Sequence, residues 1–193
     1  MVSRALALLL LVGSAQAADL EGVRLEERVQ VDGQPLQLNG IALRTRMFFK
    51  VYVAGLYLPQ RVSSAQSAIQ GQGPKRIVLV MLRDADADQF CDSIQAGLDA
   101  NHTDEELRRI RPQVDSLYAK IRNIGEARKG MRIVLDYSSR DAATTLHVDG
   151  VPQGDVMRGP EFFQALLRIW LGERPAQPDL KRALLRQTED LKE

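Results

Sequence analysis

The stretch LNGIALRTRMFFKVYVAGLYLP, residues 38–59, is the most apolar part of the sequence after the N-terminus, yet it contains two arginines and a lysine. Its second half, Phe48 to Leu58, is rich in aromatic and β-branched residues and is apolar on both alternating faces from residue 51 onward. This pattern predicts a β-strand that is covered on both sides. The pair Asn39-Gly40 has the composition of a tight turn and predicts that the chain turns before this strand.

Arg44 lies between that turn and the strand, and two explanations for it are open. An arginine keeps its charge inside a protein, so a buried one needs an anionic partner. At the edge of the sheet the side chain would be solvated and would have no special role. In an apolar cavity its planar guanidinium could instead hold a carboxylate or an enolate oxygen. Strand alternation puts Tyr52 on one face with Ala54 and Leu56, so its hydroxyl could lie beside Arg44.

Strands and helices are segregated along the rest of the chain. Thr103 and Glu106 form a capping box that begins a long helix, which Pro112 should kink or split. Segregation of this kind predicts an α+β fold, with a mostly antiparallel sheet and helices on one face. Asp32-Gly33 predicts a tight hairpin turn between a strand that starts at Val29 and a return strand at Leu36 to Leu38. The other predicted strands lie at Ile77 to Leu82, Gly130 to Tyr137 and Ala143 to Val148. The predicted helices lie at Ser63 to Gln70, 86 to 100, 103 to 124, Glu161 to Leu171 and Asp179 to Leu191.

Residues that could perform acid–base or metal chemistry are few. Three aspartates between residues 84 and 88 resemble the first half of a calcium loop, but glutamines occupy the later positions that need glycine and glutamate. We therefore interpret these aspartates as caps of helix 86–100, whose Ala96 is expected to face the core. His102 and His147 have no cysteine, histidine or glutamate at ligand spacing. The sequence predicts neither a metal site nor a cofactor.

Residues 1–17 have the organisation of a secretory signal peptide. Arg4 supplies the positive charge, an apolar run follows, and Ala15-Gln16-Ala17 has the small-x-small form of a cleavage site. The apolar run is shorter than the roughly 20 residues that span a bilayer, and no second stretch approaches that length. We expect cleavage after Ala17, a periplasmic or secreted product and one domain over residues 18–193; the alternative is an uncleaved anchor.

Charge and cysteine content narrow the possible partners. The whole chain has a formal net charge of +1, and removal of Arg4 with the signal peptide would reduce it by one, to 0. A neutral chain with no basic stripe argues against nucleic acid as a partner. Cys91 is the single cysteine, so no internal disulfide can form, and we expect its thiol to be buried. The sequence does not predict an oligomeric state.

The quoted stretch resembles the signature of the chalcone isomerase-like family, in which a glycine and an arginine precede a strand of the type KVYxxGLYL. Two later segments are similar to the same family: RIVLVMLRDADADQF, from residue 76, and FFQALLRIWLGERPAQPDLKRALL, from residue 162. The resemblance covers nearly the whole chain after the signal peptide. It implies an open-faced β-sandwich, in which helices are layered on one face of a large antiparallel sheet and a ligand cleft lies between the two layers.

The family contains plant enzymes that close chalcones to flavanones, plastid fatty-acid-binding proteins and bacterial proteins of unclear role. The resemblance implies that Arg44 corresponds to the arginine that polarises the substrate in the enzymes. It also implies that Tyr52 corresponds to a tyrosine which, in the fatty-acid binders, grips a carboxylate together with that arginine. Three further polar positions of the enzymes are filled here by Phe90, Gly97 and Ile169, whose side chains are not polar.

Loss of these three polar groups favours binding over catalysis. Closing a chalcone ring needs a stabilised enolate, and each missing hydrogen-bond donor costs about ten- to a thousand-fold in rate. We therefore expect a non-catalytic binding protein that holds a small amphipathic carboxylate, such as a fatty acid, with Arg44 at the head group. The alternatives are an isomerase or intramolecular lyase that uses Arg44 as its electrophile, and a structural or interaction protein. The predicted ligand contacts are Arg44, Tyr52, Phe90, Gly97 and Ile169.

Overall fold

Strands and helices are segregated along the chain, as the sequence predicts. The computed structural model describes residues 17–187, which contain ten strands and five helices. The strands are β1 (Ala17–Leu20), β2 (Val23–Glu26), β3 (Arg28–Val31), β4 (Gln34–Arg46), β5 (Phe49–Leu58), β6 (Lys75–Met81), β7 (Arg132–Ser138), β8 (Ala143–Val148), β9 (Val151–Pro152) and β10 (Met157–Arg158). The helices are α1 (Ala65–Gln70), α2 (Ala87–Asn101), α3 (Asp104–Ile124), α4 (Pro160–Leu171) and α5 (Pro178–Leu184).

One large antiparallel sheet organises these elements. Its strand order is β10-β8-β7-β6-β5-β4-β3, and β9 also pairs with β8. The helices pack on one face of the sheet, here called the helix side, where they form the larger core cluster. The β1-β2 hairpin lies on the other face, the hairpin side, and encloses a smaller cluster. The predicted α+β class, with helices layered on one face of an antiparallel sheet, is confirmed.

The stretch at residues 38–59 forms two paired strands, β4 and β5, and not one strand after a turn. The chain turns between them at Met47 and Phe48. The prediction of a turn at Asn39-Gly40 is therefore wrong, because both residues lie inside β4, where the register shifts to form a bulge.

β5 is buried on both faces, as its sequence predicts. Ala54 is fully buried on the helix side, and Val53 is fully buried on the hairpin side. Gly55 permits the close approach of the β1-β2 hairpin, because a Cβ atom at this position would overlap the side chain of Leu25. The strand thus contributes to two cores, which explains its nearly continuous apolar sequence.

The bulge at Asn39 decides which face of the sheet Arg44 occupies. Before the bulge, Leu36 and Leu38 point to the hairpin side; after it, Ala42 points to the helix side. Side chains alternate between the two faces along a strand, and a bulge inserts one extra residue. The even-numbered residues of β4 therefore point to the hairpin side before the bulge and to the helix side after it. Arg44 follows Ala42 by two positions and therefore faces the helices.

Asn39 is fully buried and ties this bulge to two other segments. Its Nδ2 donates to Val62 O at 3.0 Å and to Leu184 O at 2.7 Å, and its Oδ1 accepts from Val62 N at 2.7 Å. Gly40 lies so close to the end of α5 that a Cβ atom would be 2.6 Å from Leu184 O. The Asn-Gly pair therefore serves tertiary packing, although its composition is that of a turn.

The helix starts follow the predicted capping chemistry. Asp86 caps α2 by accepting hydrogen bonds from two backbone N–H groups of the first turn. Thr103 and Glu106 form the predicted capping box at the start of α3. The helix continues through Pro112, so the predicted split does not occur. Cys91 is buried, as expected.

Two other predictions about helices are wrong. Ala96 is exposed and does not face the core. The last helix does not extend as far as expected: α5 ends at Leu184 and the next two residues form a turn, while residues 188–191 of the predicted helix lie outside the described part.

The predicted signal peptide lies outside the described residues except for Ala17, with which β1 begins. Between residues 17 and 187, no helix has the length and apolar character needed to span a bilayer. Within the same range, no group of three or more His, Cys, Asp or Glu side chains could hold a metal ion.

Candidate ligand-binding site

A cavity of about 250 Å³ opens between the sheet and the helices, beside the turn of the β4-β5 hairpin. The ends of β4, β5 and β6 form one wall, and α2 and α4 form the other. The lining combines basic side chains with aromatic and aliphatic ones. It includes Arg44, Arg46, Phe49, Val51, Tyr52, Leu79, Arg83, Asp84, Phe90, Ile94, Ile169 and Trp170.

Arg44 lines this cavity and forms no ion pair with a carboxylate of residues 17–187. Its Nη1 donates to the carbonyl oxygen of Thr45 at 2.7 Å and to Oε1 of Gln177 at 3.3 Å. Both acceptors are neutral, so the charge of the guanidinium is not compensated. The guanidinium also lies within hydrogen-bonding reach of the Tyr52 hydroxyl, which is neutral too. Arg44 therefore makes no contact with a carboxylate of the described residues, and its remaining N–H groups can bind an anionic guest.

Gln177 fixes the end of β4 to the start of α5. Its Oε1 accepts from Thr45 N at 2.9 Å, and the residue occupies the N-cap position of α5. The far end of α5 is tied to the same strand by Asn39. Because both ends of the helix are attached to β4, the backbone that carries Arg44 is held in place.

Tyr52 is the cross-strand partner of Arg44, so both side chains project to the helix side from neighbouring strands. Tyr52 is 8% exposed, and its hydroxyl accepts a hydrogen bond from Nε1 of Trp170 at 2.9 Å. Burial raises the pKa of Tyr52, although the hydrogen bond from Trp170 and both the charge and a hydrogen bond of Arg44 act in the opposite direction. The hydroxyl therefore stays protonated and can donate to an oxygen bound at Arg44.

Two further arginines, Arg46 and Arg83, lie at the exposed rim of the cavity. The guanidinium of Arg83 stacks on the ring of Phe49, 4.6 Å from its centroid. Asp84 is the one carboxylate in the described lining, and its Oδ1 accepts from Lys129 N at 2.7 Å. Three arginines and one aspartate give the lining a formal net charge of +2, which favours an anionic guest.

The cavity becomes apolar away from Arg44 and Tyr52. A second cavity of about 30 Å³ lies beside it, and its lining is aliphatic and aromatic. Four residues line both cavities: Leu79, Phe90, Ile94 and Trp170. The second cavity has the size of about one water molecule. The site as a whole therefore has a charged, hydrogen-bonding end and an apolar end.

Four of the five predicted contact residues line the first cavity: Arg44, Tyr52, Phe90 and Ile169. Gly97 does not line it. A Cβ atom at position 97 would lie 2.6 Å from Cγ2 of Ile169, so the glycine allows α2 and α4 to pack closely behind the cavity wall. Gly97 also borders a wider, open groove next to Arg44.

Sequence reasoning missed the roles of Trp170 and Gln177. The helical spacing of Trp170 predicts a core position, and the residue is buried. Its N–H group needs an acceptor when buried, and this requirement was the available signal for its contact with Tyr52. Gln177 lies between two helices, where the sequence gives no signal of its bonds to β4.

Comparisons with known proteins agree with this architecture. A family model described as chalcone isomerase-like matches residues 17–186. None of the curated proteins compared with the sequence matches it significantly. Among solved structures, a fatty-acid binding protein of Arabidopsis thaliana is similar, with a TM-score of 0.69 and 12% sequence identity, over 88% of this chain and 96% of that chain. At this identity the likeness shows the fold alone.

Proposed function

Because the chain belongs to the chalcone isomerase-like family, we propose that it is a non-catalytic binding protein for a fatty-acid-like or other amphipathic carboxylate. Arg44 and Tyr52 hold the carboxylate, and the apolar part of the cavity takes the tail. The observation that carries this proposal is the guanidinium of Arg44, which lines a cavity and pairs with no carboxylate between residues 17 and 187.

A guest carboxylate would complete the surroundings of Arg44. A charge in a partly buried site is costly without a counter-ion, and the present acceptors are neutral. A carboxylate accepts two parallel hydrogen bonds from a guanidinium, and such charged bonds are stronger than neutral ones. The hydroxyl of Tyr52 adds a further donor. A purely structural role predicts an internal carboxylate that pairs with Arg44, and no carboxylate of the described residues does so.

The apolar lining favours an alkyl tail. The cavity of about 250 Å³ is slightly below the usual size of ligand sites, about 300–1,000 Å³, which favours a tail of medium length. A longer tail would have to displace a side chain that lines both cavities, such as Phe90, to reach the second cavity. The similar Arabidopsis structure is that of a fatty-acid binding protein, and this supports the class of ligand.

The lining supports catalysis less well. Phe90 and Ile169 offer no proton donor or acceptor, Tyr52 is held in its protonated form, and Asp84 already accepts a backbone N–H group. An isomerase or intramolecular lyase with Arg44 as its electrophile is the alternative. Incubation with chalcones, followed by the loss of their visible absorbance, tests it, and we expect no turnover above background.

The decisive test compares a fatty acid with its methyl ester, which keeps the tail and removes the charge. We expect the protein to bind decanoate about ten- to a hundredfold more tightly than methyl decanoate, because a hydrogen bond to a charged group contributes about 1.5–3 kcal/mol. Arg44→Gln should abolish this difference. Arg108→Gln, which removes the same charge from the exposed surface of α3, should preserve it.

Isothermal titration calorimetry on protein freed of co-purified lipid gives these affinities. Equal affinities for the acid and the ester, or acid binding unchanged by Arg44→Gln, would refute the proposal. Phe90→Ala should join the two cavities and shift the preference to longer acids. Mass spectrometry of an organic extract of the purified protein identifies the acid that is bound in the cell.

We further propose that the protein acts in the periplasm or outside the cell, because residues 1–17 have the organisation of a signal peptide. The mass of protein isolated from a periplasmic extract should correspond to cleavage after Ala17. Protein that retains residue 1 and is found only in the cytosolic fraction would overturn this placement.

A further inference from the structure

The turn between β4 and β5, together with the first residue of β5, exposes three large apolar side chains, here called the apolar turn: Met47 is 83% exposed, Phe48 96% and Phe49 57%. Tight turns usually consist of glycine, asparagine, aspartate or proline. Met47 has a φ angle of 56°, a left-handed conformation that glycine or asparagine adopts more readily. The fold therefore does not require these residues, and their apolar character needs another explanation.

Positive charge surrounds the apolar turn. Lys50 is paired with Glu21 at 2.6 Å, so these two charges cancel. The other charged residues that line the adjoining cavity and groove are four arginines and two aspartates, a formal net charge of +2: Arg44, Arg46, Arg83, Arg174, Asp84 and Asp92. An exposed apolar projection within a basic surface is complementary to a partner that has an anionic outer layer over an apolar interior.

We infer that the apolar turn docks on a phospholipid bilayer with anionic head groups. Met47, Phe48 and Phe49 enter the interfacial region, where aromatic side chains are favoured. The neighbouring arginines attract the anionic head groups, and this attraction falls off within a Debye length of the surface.

A protein partner fits the apolar turn less well than a bilayer does. Three large side chains, at about 150–250 Å² each, present less area than the about 800 Å² that each partner buries in a standard protein interface. The turn is also a narrow projection and not a groove or a flat face. A bilayer accepts such a projection because lipids rearrange around it.

Docking would place the cavity at the membrane surface, because the two features share residues. Met47 and Phe49 of the apolar turn line the cavity, and so do the neighbouring Arg46 and Arg83. An amphipathic acid could then pass between the bilayer and the cavity without crossing bulk water. This transfer rests on the proposed function; docking itself does not, and it can be measured on ligand-free protein.

The experiment measures flotation of the protein with vesicles of phosphatidylcholine that contain one quarter phosphatidylglycerol. We expect binding at low salt that falls at least about tenfold on pure phosphatidylcholine or in molar salt, where the Debye length is about 3 Å. Phe48→Ser should weaken binding by about tenfold, because it removes one large apolar side chain from the lipid contact. The matched control is Val151→Ser, which changes a 60% exposed apolar residue on another hairpin and should bind like wild type.

Solution affinity for decanoate separates the two proposals. Phe48 does not line the cavity, so Phe48→Ser should bind the acid as wild type does. Absence of vesicle binding in wild type, or equal losses in Phe48→Ser and Val151→Ser, overturns docking and leaves the proposed function intact. If the wild type does not bind vesicles but forms a dimer that Phe48→Ser dissociates, membrane docking is overturned and a second copy of the chain is the partner. Vesicle binding without acid binding supports docking and refutes the proposed function.

Discussion

Gly97→Ala should destabilise the protein by forcing α2 and α4 apart beside the cavity. The added Cβ atom would lie 2.6 Å from Cγ2 and 3.1 Å from Cγ1 of Ile169, well inside the normal contact distance of about 3.5–4.0 Å. Overpacking of a core costs about 1–3 kcal/mol. Exchange of glycine for alanine inside a helix gains up to about 1 kcal/mol. We therefore expect a net loss of up to about 2 kcal/mol in the free energy of unfolding.

A double-mutant cycle isolates the contact. Ile169→Ala alone should cost about 2–5 kcal/mol, because it removes buried methyl groups and enlarges the cavity. In that variant the same Gly97→Ala change no longer meets Cγ1 or Cγ2 of Ile169, and only the Cβ atom of residue 169 remains, at 3.2 Å. Most of the overlap is then removed, and Gly97→Ala should cost much less than in the wild type. The two substitutions should therefore be coupled by about 1–3 kcal/mol.

Urea unfolding, followed by the fluorescence of Trp170, gives these free energies; the chain contains one tryptophan. Ala96→Gly is the matched control, since it changes helix propensity at an exposed position of α2 and should combine additively with Ile169→Ala. Additive behaviour of Gly97→Ala and Ile169→Ala would show that the helices are not in close contact and would refute the packing role of Gly97.

Gly40→Ala should cost about 3 kcal/mol, because the added Cβ atom meets backbone oxygens at the end of α5, which cannot rotate away; a melting temperature like that of wild type contradicts this. Tyr52→Phe should cost about 1–3 kcal/mol, because it leaves the buried N–H group of Trp170 without its acceptor, and an unchanged urea midpoint argues against that bond. The backbone N–H of Thr103 lowers the pKa of Glu106. A carboxylate with a lowered folded-state pKa stabilises the fold above its unfolded-state pKa, and this contribution is lost as the pH falls through the folded-state value. Glu106→Gln should therefore melt at a lower temperature than wild type at neutral pH, and the two melting curves should converge in acid below the ordinary glutamate value of about 4.3; a constant difference across this range refutes the assignment.

Sequence patterns predict those helices and strands that are determined by interactions within a few residues along the chain. The apolar run of β5 indicates burial on both faces, and the capping box at Thr103 marks the start of α3, because both signals act within a few residues. Asn39-Gly40 misleads for the same reason. Its composition is that of a turn, but the energy that fixes it comes from Val62 and Leu184, which are distant in sequence. The real turn, at Met47, lacks the usual turn residues and gives no local signal.

The turn that the sequence did not predict is what brings the two polar residues of the candidate site together. A turn at Asn39-Gly40 would put Arg44 and Tyr52 on one strand, on the same face but about 26 Å apart. The structure puts them on neighbouring strands as direct cross-strand partners, again on the same face. The sequence could not predict that this is the helix side, because the bulge at Asn39 decides which residues of β4 face the helices. It also could not predict Gln177, since its bonds to Thr45 depend on the docking of α5.

The neutrality of the groups that hold Arg44 is the physical reason to expect an anionic guest. The backbone beside Arg44 is fixed by the amide of Gln177, and its face of the sheet is fixed by the amide of Asn39. A glutamate in place of Gln177, whose Oε1 lies 3.3 Å from Nη1 of Arg44, would bring a permanent negative charge to the guanidinium and would compete with any guest for it. Amides orient the arginine without neutralising it, and Tyr52 beside it stays a hydrogen-bond donor because burial raises its pKa. The chain therefore fixes the position of a positive charge at an apolar cavity and leaves its compensation to a molecule from outside.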